Sequence, residues 1–288
     1  MLDALAAEVG AAADLAVLLI AGLDFPDEEA AYRAEAERSD WATDIVVGND
    51  TYAVLRAGTE RGWGIAVTCG SGMNCVGVGP DGRQVRFPSL GAVSGDVMDG
   101  AGAVGVAAAS AAARSADGRG PKTELELLVP AHFGLATPVE LARAVEAGGV
   151  PWRRLGELSP LVFDAAASDV VAAEIVDRQA AEVVAFVRAA VTRLELIDEE
   201  VEVILGGSVL QSGNRRMLDA IEVGLREVGA ELSMKVAQSR PIVGAVLTGL
   251  DRLGAGPDAY LRSREELDRA TESIGDVTGD AAAVPELP

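Results

Sequence analysis

Residues 63–79 read WGIAVTCGSGMNCVGVG, in which two apolar, β-branched runs are separated by Gly70-Ser71-Gly72. The pattern predicts two strands, over residues 63–70 and 73–79, that pair as an antiparallel hairpin across a tight turn. Small residues at the tip would let a polyanion approach the backbone, so that successive N–H groups and the Ser71 hydroxyl could hold phosphate oxygens. An ordinary tight turn explains the same tripeptide equally well.

Upstream of this hairpin, apolar runs alternate with helical stretches. Strands are expected over residues 15–21 and 44–48, and helices over residues 2–13, 27–38 and 51–57. Strands that alternate with helices in this way are typical of a mostly parallel α/β sheet.

The strand over residues 44–48 ends at Asn49-Asp50. In open α/β sheets, ligands bind at the carboxyl ends of the strands. An aspartate at that position could accept the proton of a hydroxyl group during phosphoryl transfer. The alternative is that Asp50 caps the following helix with its side chain, which is a common role for aspartate.

Two further glycine-rich segments could contribute to a site. Residues 91–96 read GAVSGD, and a loop that combines glycine with aspartate suits sugar hydroxyls or a hydrated cation, although a flexible surface loop has the same composition. Gly206-Gly207-Ser208 follows a strand expected over residues 201–205. Paired glycines there permit either a flat ligand or close strand–helix packing.

The charge balance excludes several classes of protein. The 288 residues include 24 Lys and Arg against 45 Asp and Glu, a net charge of −21, which disfavours nucleic acids and anionic membrane surfaces as partners. The longest apolar run, residues 15–23, is far shorter than the roughly 20 residues that span a bilayer. We therefore expect a cytoplasmic protein, whose phosphate site would have to be built locally from backbone N–H groups.

The rest of the chain is predominantly helical. A third strand of the hairpin sheet is expected over residues 83–87, and a loop over 90–105. Further helices are expected over residues 104–114, 123–129, 138–147, 151–158, 169–196, 214–228, 241–253 and 259–270, with a strand over 231–236. One face of the longest helix is apolar and predicts a core contact. The last dozen residues show no core pattern and are expected to be disordered.

The histidine and cysteine residues point to structural roles. His132 is the single histidine, and the pattern of a nucleophilic triad is missing around it. Cys69 and Cys75 flank the hairpin turn and are predicted to pack as small apolar residues.

Taken in order, these segments resemble one family. The order is strand–Asn-Asp, the Gly-Ser-Gly hairpin with Asn74-Cys75, Gly-Asp, a helical insert, strand–Gly-Gly, and the helix that opens with Pro241-Ile-Val-Gly-Ala. It is similar to the BadF/BadG/BcrA/BcrD-type ATPases, which include the N-acetylglucosamine kinases, in the sugar kinase/heat-shock chaperone/actin superfamily. The resemblance covers about residues 15–254. It implies an α/β ribonuclease-H-like, actin-type ATPase fold with two domains around a cleft, ATP on one wall and the sugar at its base.

The resemblance also implies roles for particular residues. Asp50 would be the general base, and the residues that would contact the sugar are Asn49, Gly91, Gly95 and Asp96. The residues that would bind the nucleotide are Gly70, Ser71, Gly72, Gly206, Gly207 and Ser208. ATP and Mg²⁺ are the implied cofactors, no metal ligands are assigned, and a homodimer is a possible assembly.

The expected domains are uneven. Residues 1–60 with 240–256 would form a first, incomplete ribonuclease-H-like domain, residues 61–239 a second domain with a helical insert, and residues 257–288 a polar tail. The family opens with a glycine-rich phosphate hairpin that this sequence lacks, and the family's Gly-Asp-Glu-Gly motif is replaced here by Gly95-Asp96-Val97-Met98.

The implied function is an ATP-dependent kinase of an amino sugar such as N-acetylglucosamine or glucosamine. The alternatives are a catalytically impaired sugar- or nucleotide-binding regulator, and an ATPase that activates another enzyme, which the cysteine positions disfavour.

Overall fold

The chain contains two separate β-sheets, and the smaller one comes first. The computed structural model describes residues 13–39, 41–229 and 231–273; residues 2–12 of the helix expected over residues 2–13, and the last dozen residues, lie outside these ranges. Strands β1 (Ala13–Ile20) and β2 (Ala42–Asn49) pair in parallel, with Ile20 opposite Asn49. This confirms the strands predicted over residues 15–21 and 44–48.

Helices α1 (Pro26–Arg38) and α2 (Thr51–Gly58) follow β1 and β2. Acidic residues occupy the first turn of α1 and Arg38 occupies its last turn, which is the arrangement that the helix dipole favours. The Glu28 carboxylate caps the start of α1 by accepting hydrogen bonds from the N–H groups of Asp24 and Phe25 at 3.0 and 3.1 Å.

The second sheet has five strands in the order β5-β4-β3-β6-β7. Its members are β3 (Gly64–Cys69), β4 (Met73–Val78), β5 (Gln84–Arg86), β6 (Glu200–Gly206) and β7 (Glu231–Val236). The first three form the predicted antiparallel meander, and β6 and β7 continue the sheet in parallel with β3. Cys69 pairs with Met73 across the hairpin tip, and Thr68 pairs with Gly206.

Helices cover one face of this sheet and supply most of the main core. They are α3 (Ala101–Asp117), α4 (Leu125–His132), α5 (Pro138–Glu146), α6 (Ser159–Ala165), α7 (Val170–Leu194), α8 (Ser208–Gln211) and α9 (Arg215–Arg226), with a 3₁₀ segment at Trp152–Leu158. The predicted apolar stripe of α7 is buried in this core: Val176, Ala180, Val183, Val187, Ala190 and Leu194.

The sequence analysis was wrong about the start of α3 and did not predict two short helices. Helix α3 begins at Ala101 rather than at residue 104. The prediction was wrong because the glycines at the start of α3 have low helix propensity, whereas tertiary packing stabilises the helix there. A Cβ atom on Gly105 would lie 1.9 Å from the Leu155 carbonyl oxygen, so this glycine permits close contact with the 3₁₀ segment. Helices α6 and α8 lie where the sequence analysis predicted neither a helix nor a strand.

The last two helices return to the first sheet. Helix α10 (Pro241–Leu253) packs on α2 and β1, and a Cβ atom on Gly244 would lie 1.8 Å from the Ala53 carbonyl oxygen. Helix α11 (Pro257–Ser273) packs on α10, and its Arg264 donates to the Ala57 carbonyl oxygen at the end of α2. The expected domain boundaries stay a prediction.

None of the helices in the described ranges is both long and apolar enough to cross a membrane.

Candidate active site

A cavity of about 360 Å³ lies where the carboxyl ends of strands from both sheets converge. Asp24 and Asp50 follow β1 and β2, while residues 70–72 and Gly207 follow β3 and β6. The lining is completed by Ala21, Gly22, Val54, Thr68, Met73, Asn74, Ser89 and Pro241. The position obeys the rule for open α/β sheets, and the volume is within the usual range for small-molecule sites.

Asp50 faces this cavity from the start of α2, and its side chain makes no capping hydrogen bond. The cap comes instead from Asn49, whose Oδ1 accepts from the Thr51 N–H at 2.9 Å. The capping alternative for Asp50 is therefore wrong. Partial burial and then the negative charge of Asp24 raise the pKa of Asp50, which makes its carboxylate a stronger base.

Asp24 lies beside Asp50 and joins the two sheets through its side chain. Asn49 Nδ2 donates to Asp24 Oδ1 at 3.1 Å and to the Leu23 carbonyl oxygen at 3.2 Å. Asn74, on β4 of the second sheet, donates to the same Asp24 oxygen at 2.7 Å. The sequence analysis did not select Asp24, although the signal that selected Asp50, an aspartate just after a strand, applies to it as well.

The hairpin tip is tied down through its carbonyl groups. Gly70 N–H donates to the Gly72 carbonyl oxygen at 2.8 Å, and the N–H groups of Ala101 and Gly102 donate to the carbonyl oxygens of Gly70 and Ser71 at 2.9 and 3.3 Å. The N–H groups of Ser71 and Gly72 donate to no other residue within the described ranges. They are therefore available to an anion at the cavity wall.

Tight packing accounts for Gly206, the last residue of β6, and for Gly207, which follows it. A Cβ atom on Gly206 would lie 2.6 Å from Val54 Cγ1, and one on Gly207 would lie 2.4 Å from the Cys69 carbonyl oxygen. Gly207 also has a φ of +86° and lines the cavity, whereas Gly206 and Ser208 do not. Of the six predicted nucleotide contacts, the structure brings Gly70, Ser71, Gly72 and Gly207 to one cavity.

The sequence profile of the BadF/BadG/BcrA/BcrD ATPase family matches residues 2–249. The chain belongs to this family. It is also 31% identical over 171 residues to an N-acetylmuramic acid/N-acetylglucosamine kinase of Clostridium acetobutylicum. That match covers 59% of this chain and 56% of the relative, so it spans little more than half of the relative's length.

Two solved structures from other organisms share the fold. A candidate N-acetylglucosamine kinase from Chromobacterium violaceum superimposes with a TM-score of 0.62 at 23% identity, over 82% of this chain and 76% of that one. A second, from Porphyromonas gingivalis, gives a TM-score of 0.55 at 21% identity, over 82% and 77% of the two chains. The predicted α/β actin-type ATPase fold is confirmed.

The Gly-Asp segment that the family resemblance assigns to the sugar lies outside the lining of this cavity. A 3₁₀ turn begins at Gly91, and the buried Asp96 carboxylate accepts from the Ser94 hydroxyl at 2.5 Å. Ser89, two residues before this segment, does line the cavity, and its hydroxyl donates to the Met73 carbonyl oxygen. Asn49 is also absent from the cavity lining and is only 1% exposed. A sugar-binding role for Asn49, Gly91, Gly95 and Asp96 stays a prediction.

The electrostatics of this BadF-type cavity are acidic. Its lining contains the carboxylates of Asp24 and Asp50 and neither lysine nor arginine. Among the residues that the structure describes, no group of three or more His, Cys, Asp and Glu side chains is placed to hold a metal ion. Magnesium in phosphoryl-transfer sites keeps several waters and is held largely through the substrate phosphates, so an acidic lining of this kind suits a cation that enters together with the nucleotide.

The two cysteines contribute packing to the family fold. Cys69 and Cys75 are fully buried on β3 and β4, and burial raises the pKa of Cys69 to about 12 and that of Cys75 above its ordinary value. The prediction that they pack as small apolar residues is confirmed. His132 lies 3.5 Å from Glu157 and stacks edge-on against Phe133, and it does not line the cavity.

Proposed function

We propose that the chain is an ATP-dependent kinase that phosphorylates an amino sugar such as N-acetylglucosamine or glucosamine. The observation that carries this proposal is the Asp50 carboxylate, which does not cap α2 and faces the same cavity as the exposed tip Ser71-Gly72. Family membership supports the use of ATP. The names of the Clostridium acetobutylicum relative and of the two solved structures support an amino sugar as the acceptor.

In the proposed reaction, Asp50 accepts the proton of the sugar hydroxyl as its oxygen attacks the γ-phosphorus of ATP. The bond between that phosphorus and the bridging oxygen breaks, so the products are a sugar phosphate monoester and ADP. The proton then leaves Asp50 for solvent.

The N–H groups of Ser71 and Gly72 would donate to phosphate oxygens and so stabilise the charge that develops on them. Since the lining has no basic side chain, a bound Mg²⁺ would supply the remaining positive charge. This makes the proposed turnover strictly dependent on a divalent cation, and excess chelator should abolish it.

The test is ADP release with a panel of sugars that includes N-acetylglucosamine, glucosamine, N-acetylmuramic acid and glucose. The Asp50→Asn variant should lose about 100- to 10,000-fold in turnover, the usual contribution of a positioned base. The matched control is Asp164→Asn, which removes an exposed carboxylate from α6 and should keep full activity.

Other outcomes separate the alternatives. ATP hydrolysis that no sugar accelerates would favour an ATPase that activates another enzyme. Calorimetry that detects sugar binding without any ATP turnover would favour a regulator of the same fold. The homodimer and the cytoplasmic location stay predictions, and sedimentation velocity tests the first of them.

A further inference from the structure

Asp24 is the member of the site to which the proposed chemistry assigns no role. The residue is 8% exposed, it lines the cavity beside Asp50, and one of its carboxylate oxygens accepts from two amide groups that belong to different sheets. Asn49 is on β2 and Asn74 is on β4. A buried carboxylate with two such donors fixes both of them at once, because charge-assisted hydrogen bonds are the strong ones.

These contacts belong to a closed ring of hydrogen bonds. Asn49 Oδ1 accepts from the Thr51 N–H at 2.9 Å, and the hydroxyl groups of Thr51 and Thr68 share a hydrogen bond at 3.2 Å. The Thr68 hydroxyl also lies 3.5 Å from the carbonyl oxygen of Asn74, whose side chain returns to Asp24. The ring therefore links the start of α2, which carries Asp50, to the two strands of the hairpin that carries the phosphate-binding tip.

We propose that Asp24 is a positioning residue, whose carboxylate holds Asn49 and Asn74 so that Asp50 stays aligned with the hairpin tip 70–72. This inference rests on the proposed kinase function for its catalytic consequence. Asn49 directly precedes Asp50 at the end of β2. Its Oδ1 atom caps α2 while its Nδ2 atom donates to Asp24, so the hydrogen bond to Asp24 fixes the amide in the orientation that caps the helix. Misplacement of a reacting group by about 1 Å can cost about 100-fold in rate.

Asp24 also acts on Asp50 through its charge. Among the described residues, Asp24 is the one charged side chain that interacts electrostatically with Asp50. Asp24 and Asp50 are also the two carboxylates in the lining of the cavity. Its negative charge disfavours ionisation of Asp50 and so adds to the effect of burial on the Asp50 pKa. Position and charge can be separated, because asparagine keeps one acceptor oxygen at residue 24 and alanine keeps neither.

The test compares Asp24→Asn and Asp24→Ala with the control Asp27→Asn, three residues further on and exposed. We expect Asp24→Ala to lower kcat for the sugar by up to about 100-fold, with a smaller change in KM for ATP. We expect Asp24→Asn to move the acid limb of kcat/KM to lower pH, because the Asp50 pKa falls when its charged neighbour is removed. A merely structural residue would change the rate without moving that limb.

A second readout does not need turnover. The carboxyl ¹³C resonance of Asp50, assigned by its loss in Asp50→Asn, is titrated by NMR in the wild-type chain and in Asp24→Asn. A lower Asp50 pKa in the variant, together with altered side-chain NH₂ resonances of Asn49 and Asn74, supports the inference. An unchanged Asp50 titration, or full kcat in Asp24→Ala, overturns it. If the wild-type chain phosphorylates no sugar but the NMR effects are present, then the proposed function fails and the network stands.

Discussion

Asn49 Oδ1 lies 2.9 Å from the backbone nitrogen of Thr51 and accepts its hydrogen bond. The residue before Asp50 thus performs the capping that the sequence offered to Asp50 itself. Because the Asn49 side chain caps α2, the Asp50 carboxylate is left to face the cavity.

Asp50→Asn should stabilise the fold while it removes turnover. Burial and the charge of Asp24 raise the Asp50 pKa, so the ionised carboxylate costs stability at every pH above that pKa. The cost disappears as the pH falls and the native state takes up the proton. The melting temperature of the variant should therefore exceed that of the wild type at pH 7, by an amount equivalent to at most about 1 kcal/mol because the group is partly solvated, and the difference should shrink in acid. A variant that is less stable at pH 7 would contradict this account of Asp50.

Asn49→Ala should lose both stability and activity. It removes the cap of α2 and the donor to Asp24 from a residue that is only 1% exposed, and we expect a loss of about 2 kcal/mol in urea unfolding. The matched control is Asn214→Ala, because Asn214 Oδ1 caps α9 by accepting from the Met217 N–H at 3.0 Å. The control should lose about 1 kcal/mol of stability and keep its turnover; equal losses of turnover in both variants would show that capping alone is responsible.

Gly100→Ala should weaken ATP binding specifically. Gly100 and Gly118 flank α3 and have φ values of +120° and +81°, so alanine at either position costs about 1 kcal/mol of backbone strain. Only at Gly100 would the new Cβ atom meet the hairpin, at 2.7 Å from the carbonyl carbon and oxygen of Gly72, whereas nothing lies within 4 Å at Gly118. We predict that Gly100→Ala raises KM for ATP and that Gly118→Ala does not. The same KM in both variants would separate the tip from nucleotide binding.

Asp251→Asn should destabilise the contact between α2 and the two last helices in a pH-dependent way. Arg56 donates to both Asp251 oxygens at 2.5 and 3.0 Å, and the Tyr260 hydroxyl donates at 2.9 Å. Burial raises the Asp251 pKa, but the hydrogen bonds from Arg56 and Tyr260 outweigh it and the pKa is lowered. The contribution is present above the unfolded-state pKa and is lost as the pH falls through the folded-state value. The variant should thus lose about 1 kcal/mol near neutral pH, since the pair is partly exposed, and nothing once both proteins are strongly acidified.

Patterns of neighbouring residues predicted the strands, the hairpin and the position of Asp50, because strand periodicity and turn chemistry are local properties. The role of Asn49 as a cap could not be predicted, since two adjacent polar residues compete for one N–H group and tertiary contacts decide between them. Asp24 was missed for a related reason. Its partners are 25 and 50 residues away, and a turn residue shows its burial only when both sheets are in place. The glycines of α3 likewise hid a helix whose start is fixed by contact with the hairpin tip.

The most direct test of the account is ³¹P NMR of the wild-type chain with MgATP and N-acetylglucosamine, repeated with the other sugars of the panel. The account predicts a new phosphomonoester resonance that couples to sugar protons and grows in step with ADP, and its absence when Asp50→Asn is used. ADP that appears together with inorganic phosphate alone, or ATP that stays intact with every sugar, would contradict it.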